Sequence, residues 1–426
     1  MSLLDTSTAE GAAHLAWLDS EADRLLDWAA GSECPDGGFG WRADDGSIDR
    51  ARGRQLWIGC RMVHCLALGA LRGREVDAAA VDRGLHALRT AYRDEVSGGW
   101  FADADTRGSG RKEAYGHAFV VLASASAHVA GRPGARELLD EALAVVLEHF
   151  WDDDARMPYE SYDVMFNERE DYRGGNASMH LVEAFLAASD ATGDRQWRDR
   201  AIDVCVRMMT AARANNWRIP EHFDADWRPL PDYNLDKPRH PFRPYGATPG
   251  HAFEWARLLL TLRAADLEAP SWLDDAARNL VETARADSWD DEIGGFAYTT
   301  DQAGVPVARE RFHWVACEAV GAAWALHVAT GDSRWEEWYA EVWHFAVEHF
   351  ADLDGVGGWR HEVSAANEPV ALTWVGRPDV YHALQVVLFP ALPLAPGLAV
   401  AVRDRSGSSV AATRSSVASS WFTPRS

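Results

Sequence analysis

The sequence predicts an all-α chain built as a ring of six helical hairpins, an (α/α)6 barrel. Three observations lead there. Glycine-and-aromatic loops recur as DGGFGW at 36–41, SGGW at 97–100, IGGFAY at 293–298 and VGGWRH at 356–361, with weaker members MPYESYD at 157–163 and NNWRIPEHFD at 215–224. They are spaced by about 60 residues, with one step of nearly 80 across the proline-rich stretch 230–250, and such a period marks repeated supersecondary units. Between the loops apolar residues fall at helical spacing, and strand-like alternation is confined to short pieces beside the Gly-Gly-aromatic loops. About twelve helices with no sheet to cover them bury one another most simply as a closed ring of pairs.

In chain order the pattern places helices near 12–30, 52–71, 77–92, 112–130, 135–150 and 176–192. Others follow near 196–213, 249–266, 273–287, 312–330, 334–350 and 377–389. Gly-rich breaks such as AGRPG at 130–134 and TGD at 192–194 and 330–332 are tight connections. The helix at 249 is the most clearly marked, since Thr248 suits the N-cap and Pro249 the first helical position, where its missing N–H is no loss. One barrel domain is expected over residues 1–400. The Ser/Ala-rich end, SGSSVAATRSSVASSW, makes 401–426 a mobile tail by composition.

At 426 residues and 47% hydrophobic the chain can bury a large core. Its formal charge of −23 repels nucleic acid and anionic membrane surfaces, so neither is an expected partner. Cys34, Cys60, Cys65, Cys205 and Cys317 are odd in number and scattered, which suggests neither a disulfide framework nor a thiolate metal site. Asp5 and Glu10 interrupt an N-terminus with no apolar core, so no signal peptide is read, and no apolar run nears the roughly 20 residues that span a bilayer. A reduced, soluble, cytoplasmic protein is the expectation. Twenty tryptophans are many; aromatic faces stack on sugars, but most of these are expected in the core.

The helices that follow the aromatic loops carry polar residues near their starts: WIGCRMVH, EAYGHAF, NASMHLVEAF, PGHAFEW, FHWVACEAVG and RPDVYHAL. Read as the inner set, they bring Arg61, Tyr115, Asn176, His180, His251, Glu254, Glu318 and His382 to one mouth. Helix N-termini there favour a developing oxyanion. A lone histidine is most often a satisfied core residue; one from each of several inner helices points to a pocket.

The stretches DYRGGNASMHLVEAFL (171–186), PEHFDADWRPLPDYN (220–234), GATPGHAFEWARLLL (246–260), RERFHWVACEAVGAAWAL (309–326), DVYHALQ (379–385) and PLAPGLA (393–399) resemble the N-acylglucosamine 2-epimerase superfamily, in its aldose–ketose isomerase branch. The likeness runs from about residue 14 to 400. It implies an (α/α)6 barrel that interconverts sugars with no metal or redox cofactor, as a monomer or small homo-oligomer. It also implies that His251 and His382 are the acid/base pair, assisted by Glu254. The same resemblance puts Arg61, Trp57, Tyr115, Asn176 and His180 around the sugar and Trp314 and Glu318 in the pocket wall, although Trp57 and Trp314 also suit barrel core. The implied reaction interconverts D-mannose and D-fructose, and D-lyxose and D-xylulose, through a cis-enediol.

Those residue types suit that chemistry. The proton carrier needs a pKa near working pH, which imidazole has untuned. The helix start disfavours imidazolium at His251, whereas Glu254, one turn on, favours it and is expected to fix its tautomer. Arg61 and Asn176 would hold hydroxyls and the enediolate oxygen. Members of the branch specific for sulfoquinovose hold its sulfonate with basic and amide side chains at places matching Pro241 and His361, and Pro241 has no side-chain donor. A neutral sugar is therefore expected, D-mannose first.

Five other readings fit parts of the sequence. Sugar 2-epimerisation shares the C2 deprotonation and is not separated by sequence. Metal-dependent isomerisation lacks His-Glu-x-x-His and any Asp/Glu cluster at hard-metal spacing within the inner helices. A glycosidase would use Glu254 and Glu318 as its carboxylate pair. The run WDDDAR at 151–156, similar to metal-binding runs of helical terpene enzymes, is better read as a solvated charge run. A non-catalytic sugar- or protein-binding barrel is the reading outside enzymes.

Overall fold

The structure, a computed structural model, describes residues 3–266, 268–353 and 355–409. Among them thirteen α-helices appear: α1 (Ala9–Ala30), α2 (Leu56–Leu71), α3 (Glu75–Thr90), α4 (Ala114–Val129), α5 (Ala135–Val145), α6 (Gly175–Thr192) and α7 (Arg195–Ala214) open the series. Then come α8 (Pro249–Ala265), α9 (Trp272–Ser288), α10 (His313–Thr330), α11 (Ser333–His349), α12 (Tyr381–Leu388) and α13 (Leu398–Ser409). Even-numbered helices α2 to α12 form the inner ring, each against the next, and α12 closes it against α2. The outer helices α3, α5, α7, α9 and α11 each pack on the inner helix before them, while α1 covers α12, so the two ends of the barrel sequence close the ring.

The two rings differ as their environments require. Every residue from Leu56 to Gly69 in α2 and from Ala114 to Ala127 in α4 is buried, as in a helix enclosed on all sides. An outer helix such as α9 buries only Leu273, Ala276, Ala277, Leu280, Val281, Ala284 and Ser288, one stripe at helical spacing. Trp100, Trp255, Trp338, Trp343 and Trp359 are fully buried, which bears out the core reading for them. Truncating such a ring to Ala costs about 3–5 kcal/mol.

The recurrent loops carry the chain from each outer helix to the next inner one. In the SGGW loop the Asp94 carboxylate accepts the amides of Val96 and Ser97, and Gly98 and Gly99 take φ of 80° and 67°, a region that favours glycine. The IGGFAY loop repeats this with Asp290, Glu292 and Ile293, and Gly294 and Gly295 at 73° and 91°. Among the described residues, two-stranded antiparallel ribbons join neighbouring loops, pairing 111–113 with 161–163, 173–174 with 222–223, and 311–312 with 362–363, and a further one, 151–152 with 157–158, closes within one loop. The long loops thus gather at the inner-helix N-termini, and the short connections lie at the other end.

Two expectations change. α12 begins at Tyr381, not 377, because Pro378 precedes it and the Asp379 carboxylate accepts the Tyr381 amide at 3.0 Å. The expected tail from 401 is helical through Ser409, since Leu398–Ser409 lies across α2, α4 and α6 and buries Val400, Ala401 and Val402; the rest of that stretch, 410–426, lies outside the described residues. No described helix is long and apolar enough to cross a membrane.

Candidate active site

Inner-helix geometry turns separate sequence positions into one stripe around the barrel axis. Trp57 and Arg61 are the second and sixth residues of α2, Asn176 and His180 those of α6, and Trp314 and Glu318 those of α10. Residues four apart share a helix face. Tyr115 is second in α4, His382 second in α12, and α8 contributes His251 and Glu254 at its third and sixth positions.

These side chains line a cavity of about 530 Å³, joined by Pro241, Phe242, His313, His361, Trp374, Pro378 and Asp379. Of the ten residues expected there, nine line it, and Glu318 does not. Glu318 sits one layer deeper, where its Oε1 is 2.8 Å from His382 Nδ1 and its Oε2 accepts from Arg257 Nε at 3.0 Å. Its part is to back His382, not to form wall.

The two imidazoles are arranged alike. His251 Nδ1 lies 2.9 and 3.0 Å from the carboxylate oxygens of Glu221, and His382 Nδ1 faces Glu318. A carboxylate can only accept, so Nδ1 carries the proton in each neutral ring and Nε2 is left basic. The expected partner of His251, Glu254, is thereby replaced by Glu221, which reaches over from the 220–223 loop and also accepts the Thr248 amide at 3.3 Å. Thr248 holds the N-cap position of α8 without a side-chain capping bond. The Trp314 ring packs on both imidazoles, with centroids 5.3 Å from His251 and 5.8 Å from His382, so the two are at most 11.1 Å apart. Burial, then the Arg61 cation, hold the His382 pKa well below its ordinary value, so it rests as a neutral base.

Arg61 is fixed on both sides: it donates to Asp379 Oδ2 and to the Tyr115 hydroxyl, each at 3.2 Å, and lies over the Tyr381, Phe119 and Trp57 rings. Breaking such a buried ion pair from one side costs about 3–5 kcal/mol. His180 packs on Tyr115 and Phe119 with Nδ1 3.3 Å from Glu183, and burial keeps its pKa low. Phe242, from the proline-rich stretch, closes edge-on against Trp57, Tyr115 and Trp374.

Glu254 is 1% exposed, and its Oε1 has no hydrogen-bond partner. Burial, then the nearby Glu318 carboxylate, push its pKa well above the carboxylate range, which favours the protonated acid. Glu183 goes the other way: burial opposes its ionisation, but His180, Arg257 and the Tyr381 hydroxyl outweigh it and hold the pKa low. Contrary to the sequence reading, carboxylates do converge, as His180–Glu183–Glu254 and Glu254–Glu318–His382, because each comes from a different helix. The Arg257 guanidinium supplies positive charge beside them, 3.0 Å from Glu318 and 3.6 Å from Glu254.

Glu221, Asp379, Phe242 and Trp374 escaped the residue-level reading as functional groups. Glu221 and Asp379 stand inside the quoted PEHFD and DVYHALQ stretches, where a signal existed; Trp374 lies in a loop with none.

A helical ring with two carboxylate-backed imidazoles in one cavity defines a barrel enzyme equipped for proton transfer. The N-acylglucosamine 2-epimerase (GlcNAc 2-epimerase) family matches residues 37–386, and the chain belongs to that family of sugar isomerases and epimerases. It is 49% identical over 399 residues to a D-mannose isomerase of Thermobifida fusca, covering 92% of this chain and 97% of that one. A D-mannose isomerase of Pseudomonas cannabina pv. alisalensis is 45% identical over 397 residues, covering 92% and 95%. Among solved structures, a D-mannose isomerase superposes with a TM-score of 0.82 at 27% identity, covering 88% of this chain and 97% of that chain. The fold is also that of cellobiose 2-epimerase from Spirochaeta thermophila, with a TM-score of 0.77 at 21% identity over 93% and 97%.

Proposed function

We propose that the protein interconverts D-mannose and D-fructose, and D-lyxose and D-xylulose, without a metal. The observation that carries this is the pair His251 and His382, each with Nδ1 tied to a carboxylate and both in one cavity. The sugar ring opens, and one imidazole Nε2 takes the C2 proton. The electron pair moves to C1–C2 and the carbonyl π pair to O1, giving a cis-enediolate. Return of a proton to C1, with O1 gaining a proton and O2 losing one, leaves a C2 ketone; no electron leaves the substrate. Glu254 as a carboxylic acid and Arg61 as a cation suit the developing charge on O1 and O2.

The substrate is read as neutral. Pro241 and His361 both line the cavity, and neither gives a sulfonate a fixed cation, since burial lowers the His361 pKa to about 3. One lost charge-assisted hydrogen bond is worth about 1.5–3 kcal/mol. A reducing cytoplasm suits the five free, buried cysteines.

Incubation with D-mannose in D2O tests the reading. Fructose with solvent deuterium at C1 is expected, with kcat/KM for D-mannose above that for sulfoquinovose. Glucose as the main early product assigns 2-epimerisation instead, a reaction two imidazoles flanking C2 also permit. Sulfoquinovose ahead by more than about tenfold, roughly 1.4 kcal/mol, overturns the neutral-substrate reading.

A further inference from the structure

We infer that His313 is a further substrate-binding residue, one whose two ring nitrogens hold non-reacting hydroxyls of a neutral sugar. This rests on the sugar-isomerase reading above. His313 is 2% exposed and lines the cavity, yet neither Nδ1 nor Nε2 has a hydrogen-bond partner among the described residues. A buried imidazole with both nitrogens unpaired is uncommon, because such groups are nearly always satisfied by protein, water or ligand. His251, His382 and His361, which line the same cavity, each have one nitrogen engaged.

The ring is also held in place. It packs on His361 with centroids 3.9 Å apart and planes tilted by 30°, and its backbone N–H donates to the His361 carbonyl at 3.2 Å. His361 is fixed in turn through Nε2 on the Asp379 carbonyl at 3.2 Å. The pairing of Phe312 with Glu362 sets this register. The His313 ring centroid lies 6.3 Å from that of His382. Among the described residues no carboxylate backs either of its nitrogens as one does in His251 and His382, so a binding role suits it better than proton transfer.

The chemistry of the partner follows. Burial, then the neighbours His361 and His382, keep His313 neutral, so it offers one donor and one acceptor. A hydroxyl can pair with either nitrogen, so two hydroxyls of a polyol match the two. A sulfonate or phosphate oxygen only accepts, and can pair with the N–H but not with the other nitrogen.

His313→Phe keeps an aromatic ring on His361 and removes both nitrogens; His313→Gln restores a donor and an acceptor. We expect H313F to raise KM for D-mannose at least fivefold with kcat within threefold, and H313Q to return KM to within twofold of the parent. An unchanged KM in H313F, or a fall in kcat at constant KM, overturns the inference. Should H313F fail to fold, 15N-histidine-labelled parent protein titrated with D-mannitol, an open-chain polyol that cannot isomerise, decides it. The ring-nitrogen signals missing from H313Q must move on saturation; if only other histidines move, His313 does not bind the polyol. Absence of fructose from the parent enzyme would remove the isomerase reading, while the mannitol titration still judges His313.

Discussion

His251 and Glu221 meet across 30 residues of sequence, with Nδ1 2.9 Å from the nearer carboxylate oxygen. Glu221 fixes the tautomer of a base it does not neighbour in the chain, and it is 5% exposed, so its charge is little screened. Replacing His251 or His382 by Ala is expected to lower kcat by at least about 100-fold, the scale of lost general acid–base catalysis. Glu221→Gln can still accept from Nδ1 but loses the charge, and a fall of about tenfold in kcat at unchanged KM is expected. Steady-state kinetics of the three variants check this; parent-like kcat in H251A or H382A contradicts the assignment.

Glu254 yields a sharper distinction between charge and hydrogen bonding. With burial favouring its protonated acid, Glu254→Gln keeps a donor at the same place. The Gln variant should retain at least about a tenth of kcat, whereas Glu254→Leu should lose about two orders of magnitude, the usual cost of one oxyanion donor. Equal losses in both variants would mean that Glu254 transfers its proton or acts as a carboxylate.

Arg257 already lies against the two carboxylates a metal would need. Dialysis against EDTA is expected to leave turnover unchanged, and added Mg2+, Mn2+ or Zn2+ should not raise it. Loss of activity restored by one of these ions would contradict the metal-free reading. Arg257→Met should destabilise the fold by about 3–5 kcal/mol, as for a buried charge left unpaired, read by chemical denaturation.

Acid should unfold this protein early. Burial lowers the pKa of His14 and His64 to about 4 and of His117 and His361 to about 3. The unfolded chain takes up these protons below about 6.5 while the folded one refuses them, so their stability contribution is present above that pH and lost as pH falls towards 4. Each contributes up to about 1.4 kcal/mol per pH unit. Glu160 works in the opposite sense, its carboxyl raised to about 7 mainly by burial, so stability it lends at low pH is lost as pH rises from 4.5 to 7. Depressed histidines, with His180, His313 and His382 among them, outnumber raised carboxyls such as Glu160 and Glu254, so stability should fall from pH 6.5 to 4.5 in denaturant titrations; a flat or rising profile would refute the balance.

Local regularities determined most of the fold. Apolar periodicity marked all twelve barrel helices, and the largest shifts in the structure are at the α2 start, the α5 end and the α12 start, the last delayed by Pro378 and the Asp379 cap. Spacing within one helix likewise placed Trp57 with Arg61 and Asn176 with His180 on one face, because four residues make about one turn. Pairings between helices and loops were decided only by the tertiary structure. His251 turned to Glu221 and not to Glu254, Glu318 withdrew behind His382, and carboxylates from α6, α8 and α10 gathered around Arg257. The segment after residue 398, polar by composition, became α13 because the open end of the ring offered Val400, Ala401 and Val402 a surface to cover. Sequence encodes which face a residue takes through backbone geometry. Which partner it meets there depends on how six hairpins close, and that is settled by packing over distances no local pattern records.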